Sequence, residues 1–225
     1  MEINNKIYII LPVFNEESVV CDVISGIKAE GYENIIVVDD GSTDNTHRSV
    51  MNIKGVVALR HFLNRGKGAA IKTGIEAAKF LNAEIVVTMD GDGQHNANDI
   101  KKMIEKINEG YDVVLGNRFH EGNKIPLVRV VYNKIGNVFT LLFCGLWVKD
   151  SQSGLRAYSK KAIELIDTKT DRYEYDSEVI REIKKNGLKF IEVPITVEYT
   201  MYSRNKKEKQ NLKNGIKTLL KMLTF

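Results

Sequence analysis

Short apolar runs alternate with longer amphipathic segments through the first half of the chain. The apolar runs, rich in β-branched residues, lie at 7–13, 35–39, 56–59, 85–89 and 113–115. The segments between them, at 17–30, 43–52, 68–80 and 98–109, are typical of helices, and several begin near polar capping residues such as Ser42, Thr43 and Asn96. This alternation predicts four βα units and a mostly parallel sheet.

The pattern is looser in the second half. A long apolar segment at 127–148 is followed by a loop at 150–154, a helix near 176–185 and a strand at 190–197. Neither a linker nor an internal repeat separates the two halves. We therefore expect one α/β domain in which the second half adds substrate-binding elements to the same sheet.

The C-terminal segment predicts a basic amphipathic helix. Its apolar residues share one helical arc, and lysines recur beside them every four residues: Leu212, Ile216, Leu219, Leu220 and Leu223, with Lys213, Lys217 and Lys221. Two locations remain open for this helix, packed on the domain or lying on a membrane surface. The longest uncharged apolar stretch, at 138–148, is too short to cross a bilayer.

Charge is concentrated at the C-terminus. The chain has 33 Lys and Arg residues against 29 Asp and Glu, a net charge of +4. Residues 203–225 hold seven of these bases and one acid, which leaves 26 bases against 28 acids elsewhere. The nearly neutral body argues against a nucleic-acid partner, whereas the basic tail suits an anionic surface such as phospholipid headgroups.

Composition narrows the class of protein further. With 43% hydrophobic residues, 28% charged residues and only three prolines, the chain is neither disordered nor fibrous. Cys21 and Cys144 lie far apart in apolar stretches, which is not the spacing of a disulfide framework or a metal site. The N-terminus lacks the pattern of a signal peptide, so we expect a cytoplasmic protein.

Acidic residues follow two of the predicted strands. The second strand ends in 39–44, which contain three aspartates, and the fourth in 89–95, which contain Asp90 and Asp92. In a parallel α/β sheet, ligands bind beyond the carboxyl ends of the strands. The first strand continues into 11–16 without the glycine-rich turn of a dinucleotide-binding enzyme, so hydride transfer is disfavoured.

The Asp90-Gly91-Asp92 sequence is a candidate metal site. Glycines between and after the two carboxylates allow both to turn toward one point, and Gln94 offers a further oxygen. Such oxygens suit Mg²⁺ or Mn²⁺, with water and substrate phosphates completing the shell. An ordinary surface turn is the alternative, because Asp and Gly also favour turns. The position at a strand end favours the metal.

Six blocks in order identify a resemblance. They are LPVFNEE (11–17), VVDDGSTD (37–44), NRGKGAA (64–70), MDGDGQH (89–95), GNR (116–118) and DSQSGLR (150–156). Together they resemble family 2 glycosyltransferases, and within them the dolichyl-phosphate and other polyprenyl-phosphate mannose, glucose and N-acetylglucosamine synthases. The resemblance implies a single-domain glycosyltransferase A fold at 1–204, with a nucleotide-sugar half at 1–116, an acceptor half at 117–204 and the basic tail at 205–225.

The resemblance also implies roles on the donor side. Pro12, Asn15 and Glu16 would flank the nucleotide, and Asp39 would accept hydrogen bonds from its base, whereas Asp40 and Asp44 would fix the loop. Asp90, Asp92 and Gln94 would hold the cation on the donor diphosphate, and Gln152 lies in a loop that closes on the sugar. Lys67 would add to donor binding, or it is a solvated lysine that begins a helix.

On the acceptor side the resemblance implies binding of a lipid phosphate. Arg118 and Arg129 match positions that contact this phosphate and, with Asp92, are the predicted catalytic residues; Asn133 and Arg204 complete the set. A phosphate monoester is already ionised near neutral pH, so it needs arginines to hold it more than a base to activate it. The expected reaction is inverting transfer of a hexose from a nucleotide-sugar, with UDP-sugars favoured and GDP-mannose possible.

Two alternatives stay open. In one, a family 2 transferase adds a sugar to a saccharide hydroxyl, and Asp176 acts as its base. In the other, the chain is a non-catalytic scaffold that binds nucleotides. The expected location is the cytoplasmic face of a membrane, reached through 210–225 or through a membrane-anchored partner subunit.

Overall fold

The computed structural model describes residues 6–120, 127–172 and 174–198. They form one α/β domain around a seven-stranded sheet. The strands are β1 Ile7–Val13, β2 Ile35–Asp39, β3 Val56–Arg60, β4 Ile85–Thr88, β5 Val113–Asn117, β6 Arg156–Ser159 and β7 Phe190–Pro194. The helices are α1 Val20–Ala29, α2 Thr46–Val50, α3 Lys67–Phe80, α4 Asp99–Asn108, α5 Leu127–Cys144, α6 Lys160–Leu165 and α7 Glu174–Lys185.

The sheet is mostly parallel. Its strand order is β3-β2-β1-β4-β6-β5-β7, and β6 alone runs antiparallel to its two neighbours. β1, β2 and β4 are buried along most of their length, because helices cover both faces of the sheet. The expected mostly parallel α/β sheet is confirmed.

Two hydrophobic clusters fill the space between the sheet and its helices. On one face, alternate residues such as Ile9 and Leu11 of β1 pack with α1 and α4. On the other face, Ile10 packs with α3, α6 and α7. The alternation along β1 places successive side chains in different clusters, as the two-residue period of a strand requires.

Two short elements differ from the predicted pattern. β6 and α6 lie between 154 and 166, where no strand or helix was predicted. The hydrophobicity pattern does not reveal β6, because this strand contains Arg156. Arg156 is buried because it forms an ion pair, not because it is apolar. The expected caps Ser42, Thr43 and Asn96 are not the cap residues of α2 and α4, whereas Ser159 caps α6 by accepting a hydrogen bond from Ala162 N.

None of the described helices is both long enough and apolar enough to span a membrane. The predicted tail helix, at 205–225, lies outside the described residues.

Candidate active site

The loops after β1 and β2 are joined by hydrogen bonds. Register pairs Val13 with Asp39, so the two strands end side by side. Asn15, at a positive φ of 54°, donates through its backbone N–H to Ser42 Oγ (2.9 Å) and accepts at Oδ1 from Thr43 N (2.9 Å). Glu16 N donates to Thr46 Oγ1 (2.8 Å). The predicted nucleotide-binding residues Asn15 and Glu16 are thus fixed against the VVDDGSTD loop, and Pro12 pairs with Val38 below them.

Asp39 is fully buried at the end of β2. Its Oδ1 accepts from Ser42 N (2.8 Å). Its Oδ2 forms an ion pair with Arg60, at 3.2 Å from Nε. Among the described residues, no hydrogen bond of good geometry reaches this oxygen. A buried carboxylate oxygen with remaining acceptor capacity is chemically suited to the N–H group of a nucleotide base.

Asp40 holds the loop that leads to α3. Its Oδ1 accepts from Arg65 N (3.0 Å) and pairs with His61 Nδ1 (2.7 Å), while its Oδ2 accepts from Gly66 N (2.7 Å). Gly66 has a φ of 114°, a backbone conformation that favours glycine. Asp40 therefore fixes its loop, as expected, and it also fixes the start of α3. Asp44 accepts from Thr46 N (3.0 Å) in the same way.

Lys67, the first residue of α3, is paired with the metal-loop carboxylate. Its Nζ lies 2.6 Å from Asp90 Oδ1, and His95 Nε2 lies 3.5 Å from Asp90 Oδ2. Burial raises the pKa of Asp90, but the Lys67 charge and His95 outweigh it and hold the pKa well below its usual range. Burial lowers the pKa of Lys67, but Asp90 and Asp176 outweigh it and raise the pKa. Both groups are therefore charged near neutral pH.

Gly154 makes room for the Asp90 carboxylate. A Cβ atom at this position would overlap the carboxylate oxygens. Thr88 Oγ1, in β4, donates to the Gly154 carbonyl (3.0 Å), which holds the two segments at this close approach. The MDGDGQH and DSQSGLR blocks, far apart in sequence, thus meet at Asp90.

The loop after β4 has residue types that suit a divalent cation. Asp92 accepts hydrogen bonds from the backbone N–H of Gln94 (3.1 Å) and from its side-chain amide. Among the described residues, no group of three or more His, Cys, Asp or Glu side chains is arranged to hold a metal ion. Two carboxylates at a strand end still suit Mg²⁺ or Mn²⁺, because these ions usually keep water and substrate phosphates in their shell. Gln94 as a third ligand stays a prediction, since its amide nitrogen faces Asp92.

Asp176 is buried in an ion pair with Arg156. The Arg156 Nη2 to Asp176 Oδ1 distance is 3.1 Å, and Arg156 also donates to Ser151 O (2.7 Å) and Ser153 O (3.0 Å). Burial raises the pKa of Asp176, although Lys67 and Arg156 oppose this shift. The side chain considered as a possible base is therefore engaged in holding β6 and the 151–153 segment to α7.

Arg118 is held by Asp150. Its Nε donates to Asp150 Oδ2 (2.7 Å), its Nη2 to Oδ1 (2.8 Å), and its backbone N–H to Oδ2 (3.0 Å). Asp150 is itself buried, and its backbone N–H donates to Glu192 Oε1 (3.2 Å). A guanidinium has five N–H groups, and Asp150 takes two of them. The guanidinium is thus fixed in orientation while it is still partly exposed.

Two asparagines of α5 bind the segment before Asp150. Asn133 and Asn137 both donate through Nδ2 to the Lys149 carbonyl (2.7 Å each), and Asn137 Oδ1 accepts from Ser151 Oγ (3.0 Å). Gln152 is exposed, and its side chain lies over Gly136 of α5. Arg129 belongs to α5, but its side chain is not described, and Arg204 lies outside the described residues.

The structure therefore brings the predicted residues together in three groups. The nucleotide group contains Asn15, Glu16 and Asp39, the second group joins Lys67 with the Asp90 loop, and the third joins Arg118 and Asn133 through 149–150. Four residues that hold these groups in place were not predicted to do so from the sequence. They are Asn137, Arg156, Glu192 and Asp150, which pairs with Arg118. Only Asp150 and Arg156 carried a signal, because both lie in the DSQSGLR block.

Comparisons with known proteins agree with this geometry. Residues 8–166 match the model of Glycosyl transferase family 2. The UDP-N-acetylglucosamine–dolichyl-phosphate N-acetylglucosaminyltransferase of Methanococcus voltae is 39% identical over 219 residues, covering 88% of this chain and 87% of its own. Polyprenol monophosphomannose synthase of Mycolicibacterium smegmatis is 26% identical over 200 residues, covering 84% and 76%.

Solved structures show the same architecture. Glucosyl-3-phosphoglycerate synthase from Mycobacterium tuberculosis, crystallised with Mn²⁺, UDP and phosphoglyceric acid, matches with a TM-score of 0.67 at 19% identity. The match covers 97% of this chain and 78% of that one. The expected glycosyltransferase A fold is confirmed. With its six sequence blocks gathered at the carboxyl edge of this sheet, the chain belongs to glycosyl transferase family 2.

Proposed function

We propose that this glycosyltransferase transfers a hexose from a nucleotide-sugar to a polyprenyl phosphate such as dolichyl phosphate, with inversion at the anomeric carbon. The observation that carries the proposal is the pairing of Asp176 with Arg156. A transferase that acts on a sugar hydroxyl needs a carboxylate to accept the proton of that hydroxyl. The carboxylate considered for this role is buried against an arginine, whereas the acceptor side presents the fixed cation Arg118.

The proposed reaction needs no base. A lipid phosphate is largely ionised near neutral pH, because its second pKa is about 6. One of its oxygens forms a bond to the anomeric carbon, and the bond from that carbon to the donor diphosphate breaks. The electron pair of the broken bond leaves with the nucleoside diphosphate. What the enzyme must supply is orientation of two anions and compensation of their charge.

The donor side supplies cations for the diphosphate. Lys67 is charged and lies at the N-terminus of α3, where the helix dipole also favours an anion. Asp90 and Asp92 are proposed to hold Mg²⁺ or Mn²⁺, and the structural neighbour from Mycobacterium tuberculosis was crystallised with Mn²⁺ and UDP. Such a cation would neutralise charge on the leaving nucleoside diphosphate. The nucleotide group of Pro12, Asn15, Glu16 and Asp39 is proposed to bind the base and ribose.

The acceptor side is built around Arg118. A guanidinium binds phosphate oxygens through parallel N–H groups, and one whose orientation is already fixed loses little freedom on binding. Arg129 and Asn133 of α5 and Arg204 are proposed to complete this site. Within this proposal, residues 1–116 form the donor half and 117–204 the acceptor half of one domain.

The donor is proposed to be a UDP-sugar, with UDP-N-acetylglucosamine or UDP-glucose ahead of GDP-mannose. The relative from Methanococcus voltae is named for UDP-N-acetylglucosamine and dolichyl phosphate. Because a polyprenyl phosphate is anchored in a bilayer, the enzyme is proposed to work on the cytoplasmic face of a membrane. The tail at 210–225 or a membrane-anchored subunit would hold it there.

The proposal can be tested by incubating the enzyme with dolichyl phosphate, Mg²⁺ or Mn²⁺, and each member of a panel of nucleotide-sugars. We expect one donor to give a lipid-phosphate-linked sugar, detected by mass spectrometry of the lipid fraction. Transfer to a saccharide, with none to the lipid phosphate, would replace the proposal with the hydroxyl-acceptor alternative. Nucleotide binding without turnover of any donor would favour a scaffold.

A further inference from the structure

The segment at 149–153 is held by side chains from three other elements. Two asparagines of α5 bind one of its carbonyl groups, an arginine of β6 binds two others, and Glu192 of β7 binds two of its N–H groups. Within this segment lies Asp150, the residue that fixes Arg118. The orientation of the proposed phosphate-binding guanidinium therefore depends on groups that lie behind Asp150.

Glu192 accepts both N–H groups with a single oxygen atom. Its Oε1 lies 2.8 Å from Lys149 N and 3.2 Å from Asp150 N. The carbonyl group of Lys149 is held on its other side by Asn133 and Asn137. The peptide group that joins Lys149 to Asp150 is thus held at both its oxygen and its nitrogen. This double hold fixes the direction in which the Asp150 side chain leaves the backbone.

The charge of Glu192 lowers the stability of the folded state. Burial raises the pKa of Glu192, and the charge of Asp150 raises it as well, while the two N–H groups and the charge of Lys149 offset only part of this shift. A carboxyl group whose pKa is raised by folding contributes stability at low pH, and this contribution is lost as the pH rises through the folded-state pKa. The ionised form of Glu192 is therefore destabilising.

Glu178 of α7 has a similar local arrangement without this disadvantage. Its Oε2 accepts from Lys169 N (3.0 Å) and Thr170 N (2.8 Å), and its Oε1 pairs with Arg181 at 3.0 Å. Burial raises the pKa of Glu178, but its hydrogen bonds and the Arg181 charge outweigh burial and lower the pKa. The charge of Glu178 therefore stabilises the loop that it holds. The charge of Glu192 does not serve stability in this way.

We propose that Glu192 is a positioning residue of the acceptor site, whose negative charge orients Asp150 and, through it, Arg118 toward the acceptor phosphate. This inference rests on the proposed function, in which Arg118 binds the phosphate of the lipid. Glu192 acts through the backbone at 149–150 and not by contact with a substrate. Charged groups that are kept in an unfavourable environment beside a binding residue are typical of functional sites.

Glu192→Gln separates this role from a purely structural one. The amide keeps the length of the side chain and one acceptor oxygen, but it removes the charge that strengthens both N–H bonds. The variant should unfold at a urea concentration no lower than that of the unchanged protein, because it removes a destabilising charge. Its KM for dolichyl phosphate should rise by about tenfold, with a smaller change in kcat. Its affinity for UDP in the presence of Mn²⁺, measured by isothermal titration, should not change.

Glu178→Gln is the matched control, because it makes the same change at a glutamate that also binds two consecutive N–H groups. It should lower the urea midpoint, since it removes a stabilising charge. Its KM for dolichyl phosphate should equal that of the unchanged protein when rates are expressed per folded protein. If Glu178→Gln raised this KM as much as Glu192→Gln does, the effect would belong to any loosened loop, and the proposal would be overturned.

A double-mutant cycle tests the route through which Glu192 acts. If Glu192 acts through Asp150, the loss of kcat/KM in the Glu192→Gln/Asp150→Asn variant should be clearly smaller than the product of the two single losses. Losses that multiply would show that the two side chains act independently, which contradicts the proposal.

The unchanged protein tests the proposed function separately. If it transfers sugar to dolichyl phosphate and Glu192→Gln does so with the same KM, the inference about Glu192 is wrong and the proposed function stands. If the unchanged protein transfers sugar only to a saccharide, the proposed function is wrong, and the role of Glu192 at a phosphate site is wrong with it.

Discussion

Arg118 and Asp150 form a bidentate ion pair, with 2.7 Å from Nε to Oδ2 and 2.8 Å from Nη2 to Oδ1. The carboxylate is fully buried, whereas the arginine side chain is 23% exposed. This arrangement orients the guanidinium before any acceptor binds. Arg118 and Asp150 belong to different motifs, 32 residues apart, so the sequence resemblance does not reveal that they contact each other.

Asp150→Asn should reduce transfer while sparing donor binding. The amide keeps one acceptor oxygen but loses the charge and the second acceptor that together fix the guanidinium. We expect kcat/KM for the lipid phosphate to fall by about tenfold to a hundredfold, because misplacing a charge contact weakens it in the transition state. Titration of the nucleotide should give an unchanged affinity. If Asp150→Asn weakens donor binding as much as it lowers kcat/KM for the lipid phosphate, Asp150 only maintains the fold. Asp171→Asn, which changes an aspartate near the surface, serves as the control variant.

Removal of divalent cations should abolish turnover. If Asp90 and Asp92 hold a cation on the donor diphosphate, Asp92→Ala should weaken nucleotide-sugar binding in the presence of Mg²⁺ or Mn²⁺ and leave the circular dichroism spectrum intact. Isothermal titration with and without EDTA measures this effect. Full activity in excess EDTA would show that the reaction needs no divalent cation.

Asp40→Ala should lower stability more than most surface substitutions. It leaves the N–H groups of Arg65 and Gly66 and the ring of His61 without their acceptor, at a cost of about 3 kcal/mol. Urea unfolding should show this loss, whereas the exposed Asp167→Ala should change stability by less than about 0.5 kcal/mol. Since Gly66 precedes Lys67, donor affinity should fall as well. Unchanged stability would mean that the loop is held by other contacts.

Removal of residues 210–225 should weaken binding to anionic liposomes. The lysines of this segment attract headgroups, and salt screens this attraction over about 8 to 10 Å. Co-sedimentation at low and high salt measures the effect. Equal binding by the shortened and full-length chains would show that the segment does not contact the membrane.

The sequence predicted β1 and β2, which end at the candidate site, more accurately than it predicted β6. β1 and β2 match their predicted ranges because strands that are buried along most of their length read as continuous apolar runs. β6 was missed because Arg156 is buried through its ion pair with Asp176, which lies 20 residues further along the chain. Long-range polar pairing of this kind leaves no local pattern.

At the candidate site, too, the sequence indicated the important residues but not the contacts between them. Residue types in motifs indicated which side chains matter, including Lys67 and Asp90, yet their 2.6 Å ion pair depends on how α3 and β4 pack. Asn133 was predicted as a phosphate contact, and the structure gives its amide nitrogen to the Lys149 carbonyl. Its role at the acceptor therefore stays a prediction.

The most direct test of the central claim compares arginine variants with Asp176→Asn in transfer to dolichyl phosphate, with rates expressed per folded protein by circular dichroism. Arg118→Ala should depress transfer by about 10² or more, as expected for loss of a preorganised charge contact, and Arg129→Ala should do the same. Lysine at position 118 should rescue poorly, because it lacks the planar fork. Asp176→Asn should keep substantial activity, since no proton leaves the acceptor, although the unpaired Arg156 should lower stability. An inactive Asp176→Asn beside fully active arginine variants would mean that the nucleophile is a hydroxyl and would contradict the account.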